Sequence, residues 1–149
     1  MTGTASFTAA SAPLKVPSAS SATLLPAEAL RLWSSSARVK PTVLQNRFYA
    51  DTGYDVALRA FCAERQVRYQ SFWTLTANPR VLASRTLQEI AARHGMTAEQ
   101  MFLRCVSQLG IVPLVGTTSE VHMRQDLDLF DAALTPSEVS AVQALLASG

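Results

Sequence analysis

Residues 111–127 read Ile111-Val112-Pro113-Leu114-Val115-Gly116-Thr117-Thr118-Ser119-Glu120-Val121-His122-Met123-Arg124-Gln125-Asp126-Leu127. An apolar run ends on a glycine, three hydroxyl residues follow, and a helical spacing begins. The pattern predicts a buried strand over 111–115, a glycine turn, and a helix from Ser119 to about Phe130. A helix entered in this way aims backbone N–H groups and the positive end of its dipole at one point, which suits a phosphate. Thr117, Thr118 and Ser119 stand at the same point. The same residues also read as a left-handed turn at Gly116 with Ser119 as an ordinary cap. What gives the stretch weight is the chain before it, where strand and helix alternate.

Thr42 to Arg47 reads as a strand entered from Pro41, and Val67 to Trp73 as another, rich in β-branched and aromatic residues. Between them, Asp55 to Arg65 reads as a helix with Val56, Leu58, Ala60, Phe61 and Cys62 turned inward. Ser84 caps a helix over Leu87, Ile90 and Ala91 that stops at Gly95. Thr97 and Gln100 form a capping box for a helix carrying Met101, Phe102, Cys105, Val106 and Leu109. Thr135-Pro136-Ser137-Glu138 starts the last helix, which uses Val139, Val142 and Leu146. Strands separated by helices imply right-handed crossovers and a parallel sheet. The expected fold is α/β, with three to four parallel strands and flanking helices. So few strands cannot close a barrel, so the pattern is that of part of a larger fold.

With 149 residues, 48% apolar and 16% charged, the chain suits one globular domain. The net charge is +2 and the basic residues are scattered, so no groove for a nucleic acid backbone is expected. No apolar run approaches the roughly 20 residues that span a bilayer, and no membrane partner is expected. Cys62 and Cys105 sit among apolar residues of separate helices and read as buried free thiols of a reducing, cytoplasmic compartment. No ligand cluster for a metal is visible. Residues 1–25 are rich in Ser, Thr and Ala and carry one lysine and no acid, the composition of a disordered tail. Residues 26–149 form the domain, opening with a short helix over 26–37.

From about residue 28 to 147 the chain resembles the C-terminal half of the aldo-keto reductases, a family of (β/α)8 barrels that reduce carbonyl compounds with NADPH. The resemblance is carried by Val39-Lys40-Pro41 with Val43-Leu44-Gln45-Asn46, by Tyr69-Gln70-Ser71-Phe72-Trp73, and by Ile90-Ala91-Ala92-Arg93-His94-Gly95-Met96-Thr97 through Arg104. Gly116-Thr117-Thr118-Ser119 and Asp126-Leu127 complete it. The fold it implies is a partial (β/α)8 TIM barrel. It also implies a cofactor site for NADP, with NAD not excluded, and a small aldehyde or ketone as substrate. Gln45 matches the glutamine that holds the nicotinamide carboxamide, and Ser71 the serine after the tyrosine that stacks on the ring. Gln70 stands at that tyrosine's own position, so Phe72 or Trp73 is the replacement, at least one of the two being expected in the core. Gly116, Thr117 and Thr118 fall around the adenosine phosphate. His122 falls where the family has an arginine on the 2′-phosphate, and Gln125 and Asp126 where Glu-Asn holds adenine. Arg124 lies two residues along the helix from His122, about 200° round, and points away.

The family's acid is a tyrosine assisted by a lysine, with an aspartate and a histidine nearby, all in its N-terminal half. The only lysines here are Lys15 and Lys40, neither beside a plausible tyrosine, and His94 reads as a helix-end residue. No catalytic residue is therefore assigned, and the chain reads as a truncated, partial reductase. A non-catalytic interaction module, self-associating or joined by a completing chain, is the rival reading. A further rival, DNA binding by a helix-turn-helix over 87–110, would present Glu99, Gln100, Arg104 and Gln108 to a groove.

Overall fold

The computed structural model describes residues 35–36, 38–39 and 41–148. The tail over 1–25 and most of the helix expected over 26–37 lie outside the described residues. Three strands, β1 (Val43–Arg47), β2 (Arg68–Phe72) and β3 (Val112–Pro113), form one parallel sheet in the order β1-β2-β3. Gln45 pairs in register with Gln70, and Gln70 with Val112. Parallel neighbours require crossovers. A 3-10 turn (Ala50–Asp55) and α1 (Val56–Glu64) carry β1 to β2. Three helices, α2 (Pro79–Leu82), α3 (Arg85–His94) and α4 (Ala98–Gln108), carry β2 to β3. After β3 come α5 (Glu120–Leu127), a 3-10 turn (Asp128–Asp131) and α6 (Pro136–Ala147).

The helix boundaries follow from their caps. The Ser84 hydroxyl accepts from the Leu87 N–H, and Gly95 ends α3 at φ 66, where a side chain would be strained. Both expected capping boxes form: Thr97 with Gln100, and Thr135 with Glu138, each reciprocal. Each such cap contributes on the order of 1 kcal/mol.

Period-two alternation divides the sheet. Leu44, Phe48, Tyr69, Ser71 and Ile111 face the helices, where Phe48, Met101, Phe102, Leu87, Val106 and Val142 are fully buried. Val43, Gln45, Arg47, Arg68, Gln70, Phe72 and Val112 take the opposite face, which stays open among the described residues: Val43 is 44% and Val112 39% exposed. Helices on one face of a parallel sheet and side chains alone on the other are the layering of a barrel segment.

Several boundaries differ from expectation. The last strand is two residues rather than five: it is an edge among the described residues, and Pro113 lacks an N–H to extend the ladder. On α1, Leu58, Phe61 and Cys62 are buried, whereas Val56 and Ala60 face outward. The helix expected to reach Phe130 gives way to a 3-10 turn at Asp128. The 3-10 turn at 50–55 and the short α2 have no counterpart in the sequence pattern. A left-handed run at Gly53, Tyr54 and Asp55 makes the first, and Pro79 at the first helical position makes the second.

The structure leaves the helix-turn-helix reading without a free recognition face. α4 is buried on most of its circumference, and three of its four groove-reading side chains are engaged inside the fold. Gln100 Nε2 donates to the Gln125 carbonyl at 3.0 Å, Arg104 Nε to the Ala132 carbonyl at 2.6 Å, and Gln108 Nε2 to the Leu134 carbonyl at 3.0 Å. Among the described residues no helix is long and apolar enough to cross a membrane.

Candidate functional site

The C-terminal ends of the strands are where the chain leaves the sheet in shaped loops. The loop after β2 is held by buried polar contacts. The Ser71 and Thr74 hydroxyls lie 2.8 Å apart, and Asn78 Nδ2 donates to the Phe48 and Thr74 carbonyls at 2.7 and 2.8 Å. The Tyr54 hydroxyl donates to Asn78 Oδ1 at 3.0 Å. Buried networks of this kind stiffen what they join. Within this fixed loop Trp73 takes φ 59, the left-handed region, at a cost on the order of 1–3 kcal/mol for a bulky residue.

The facing wall comes from the segment after β3. Its hydroxyls are turned inward to the chain: Thr117 Oγ1 accepts from the Ser119 N–H at 3.1 Å, and Ser119 Oγ from the His122 N–H at 3.4 Å. Ser119 is thus an ordinary cap. The left-handed turn does not form, since Gly116 keeps an ordinary φ, and nothing lies within 4 Å of where its Cβ would stand. Gln100, bonded to the Gln125 carbonyl, ties the start of α4 to α5 and makes the floor.

Together these segments enclose a cleft of about 710 Å³. Six of the residues singled out in the sequence line it: Phe72, Gly116, Thr117, His122, Gln125 and Asp126. Trp73, the alternative ring, lines it too, as do Leu75, Thr97, Glu99 and Leu114, which sequence reasoning did not place there. The capping box at Thr97 was the available signal for two of them, because a helix start directed at a strand end exposes its first turn to whatever lies above. Glu99 and Asp126 are the acidic members of the lining. His122 is its basic member, with no lysine or arginine among the lining residues. Arg124 pairs with Glu120 at 2.6 Å on the exposed side of α5 and stays out of the cleft.

Three candidates lie elsewhere. Gln45 is exposed in the middle of β1 rather than at its end, on the open face. Thr118 is exposed outside the lining. Ser71 is fully buried on the helix side with Thr74 as its partner, and a ligand in the cleft does not meet its hydroxyl. Phe72, one residue on and therefore on the other face, presents to the cleft instead. Neither Phe72 nor Trp73 belongs to the core, contrary to the expectation that one would.

Two tyrosine hydroxyls, those of Tyr54 and Tyr69, are committed to partners inside the fold. The Tyr69 hydroxyl is buried and donates to Asp55 at 2.7 Å; burial first, then that bond, push its pKa well up. Burial also raises Tyr54. His94 is the last residue of α3, as expected, and its Nε2 lies 3.2 Å from the Glu138 carboxylate. Cys62 and Cys105 are free and buried.

The model of the aldo/keto reductase family matches residues 40–147. The chain is 36% identical over 89 residues to 2,5-diketo-D-gluconic acid reductase B of Corynebacterium sp. (strain SHS752001), covering 60% of this chain and 32% of that protein. It is 32% identical over 94 residues to D-galacturonate reductase of Fragaria ananassa, covering 59% of this chain and 30% of that protein. Among solved structures, a point mutant of Gox0644 in complex with NADPH superposes with TM-score 0.72 at 24% identity, over 82% of this chain and 44% of that one. MGS-M4, an aldo-keto reductase enzyme from a Medee basin deep-sea metagenome library, superposes with TM-score 0.71 at 18% identity, over 80% of this chain and 44% of that one. The chain thus spans about a third of the curated relatives it matches and less than half of the solved barrels.

Proposed function

This chain belongs to the aldo/keto reductase family, and from that membership we propose that it supplies the cofactor-holding side of an NADPH-dependent reductase site for small aldehydes or ketones. The observation that carries the reading is the convergence of Phe72, Gly116, Thr117, His122, Gln125 and Asp126, drawn from two distant stretches of sequence, on one cleft. Its volume of about 710 Å³ falls in the range of small-molecule and cofactor sites. The NADPH complex of the related Gox0644 barrel supports the same cofactor class.

The residues present fit such a group in type. Phe72 offers an aromatic face for the nicotinamide ring, and Gln45, farther down the open face, an amide for its carboxamide. Gly116 leaves space for a phosphate beside Thr117 and the start of α5, and Thr118 lies next in the chain. Gln125 and Asp126 offer acceptors to adenine. His122 would meet the 2′-phosphate, with charge only when protonated, so NADPH would be favoured over NADH less than an arginine would favour it. Ser71 serves this site by fixing the loop through Thr74. When bound, the cofactor supplies the hydride; the tyrosine acid and its lysine must come from outside the described residues. A cytoplasmic location accords with two buried free thiols.

A second reading rests on the open sheet face. With Val43 and Val112 exposed there, and Leu114 and Val115 on the segment after β3, the chain joins a completing chain or a copy of itself and acts as a binding module.

Calorimetric titration of the purified chain with NADPH, and with NADH in parallel, tests the first reading. Binding near micromolar, about −8 kcal/mol, is expected. An absence of heat at millimolar cofactor overturns it and leaves the interaction module.

A further inference from the structure

Arg47 ends β1 on the open face, two residues after Gln45 and in register with Phe72. Its guanidinium carbon lies 4.2 Å from the centroid of the Trp73 ring and 5.2 Å from that of Tyr49. Contact with two rings restricts the group, and its terminal N–H donors have no partner among the described residues. The ion pairs of the described residues all lie elsewhere, and none reaches Arg47. Its Nε is covered and has no hydrogen-bond partner in the protein. Among the described residues the two rings are the partners of this half-buried guanidinium, and no carboxylate neutralises it.

Trp73 supplies the second observation. It sits in the left-handed region at φ 59, yet its side chain is 54% exposed and outside the core. Backbone strain kept in order to place an exposed ring serves whatever the ring positions, and that ring carries Arg47 on its face while lining the cleft. The guanidinium therefore stands one ring away from the space assigned to the cofactor, at the Phe72 end rather than the Gly116 end.

We propose that Arg47, positioned by Trp73 and Tyr49, is a substrate-binding residue that takes a carboxylate, so that the site's carbonyl substrates are oxo acids. The identity of the bound group as substrate rests on the cofactor reading above. A carboxylate is the anion that fits. It is planar, accepts two parallel N–H bonds, and lies in the guanidinium plane without meeting the ring below. A phosphate can also meet the fork with two oxygens, but its others project out of the guanidinium plane, so titration with each anion decides between them.

The test follows the 15N–1H signals of the Arg47 Nε and the Trp73 indole in the full chain, since Trp33 confounds tryptophan fluorescence. Pyruvate, its uncharged methyl ester and inorganic phosphate are titrated separately, with and without NADPH. Saturable shifts with pyruvate, at an affinity at least tenfold above that of the ester or phosphate, are expected. They should weaken tenfold or more in Arg47→Gln and several-fold in Arg47→Lys, which keeps the charge and loses the fork. Unchanged near-ultraviolet circular dichroism establishes that both variants are folded. If pyruvate gives no saturable shift, or binds Arg47→Gln equally, or phosphate matches it, the proposal is overturned. Pyruvate binding without NADPH binding instead retains the carboxylate subsite and overturns the cofactor reading.

Discussion

The Tyr69 hydroxyl and the Asn46 amide donate to the same oxygen of Asp55, at 2.7 and 2.6 Å. Tyr69 comes from β2, Asn46 from β1, and Asp55 from the left-handed residue that opens α1. One buried carboxylate oxygen thus joins two strands and the crossover between them. Charge-assisted bonds of this kind contribute about 1.5–3 kcal/mol each. Asp55→Asn keeps the shape and tolerates the left-handed backbone while removing the charge. It should lower stability by about 2–3 kcal/mol in urea unfolding, and Tyr69→Phe by about 1–2 kcal/mol. A loss below about 0.5 kcal/mol for both would show that the carboxylate is not what holds the crossover.

Glu138 is held well below its ordinary value of 4.5, at about 2, chiefly by the Thr135 backbone N–H and next by Arg93. The folded pKa is depressed, so the stability it contributes is full above about pH 4.5 and is lost as pH falls toward 2. Unfolding midpoints measured from pH 6 to 2.5 should fall across that window. In Glu138→Gln the fall should be shallower, and an unchanged slope would remove Glu138 as its source.

His122→Arg puts a permanent, forked charge on the cleft wall beside Gln125. If the 2′-phosphate lies there, NADPH binding should tighten about tenfold, roughly 1.4 kcal/mol, with NADH affinity unchanged. Equal gains for both cofactors would place the new charge on the shared pyrophosphate instead.

Burial pushes the Cys105 thiol up to about 12, and burial followed by the nearby Asp55 charge raises Cys62. Thiolates are the reactive form, so neither residue should react with a disulfide reagent at pH 8 in the folded chain. Labelling should occur at the rate of unfolding and accelerate with urea. Fast labelling in native buffer would mean that α4 or α1 opens locally.

The parts of the fold most legible in the sequence were those governed by local chemistry. The caps at Ser84, Thr97, Ser119 and Thr135 use side chains within three residues of the groups they satisfy, and all four form as read. Strand existence was legible for the same reason, whereas the length of β3 was not, since ladder length depends on a neighbouring strand. The cleft was legible where sequence order and space coincide, as along Gly116 to Asp126. Ser71 and Phe72 show the limit: adjacent residues of a strand face opposite ways, and a one-residue difference decides which lines the cleft. Arg47 left no sequence signal, because its importance comes from rings brought beside it by the fold.

The sheet order β1-β2-β3 repeats the order of the chain. Among the described residues β2 and β3 each therefore dock on a strand already synthesised, and β1 waits only for its neighbour in sequence. Assembly can keep pace with translation, strand by strand, which shortens the time that unpaired apolar residues meet other chains.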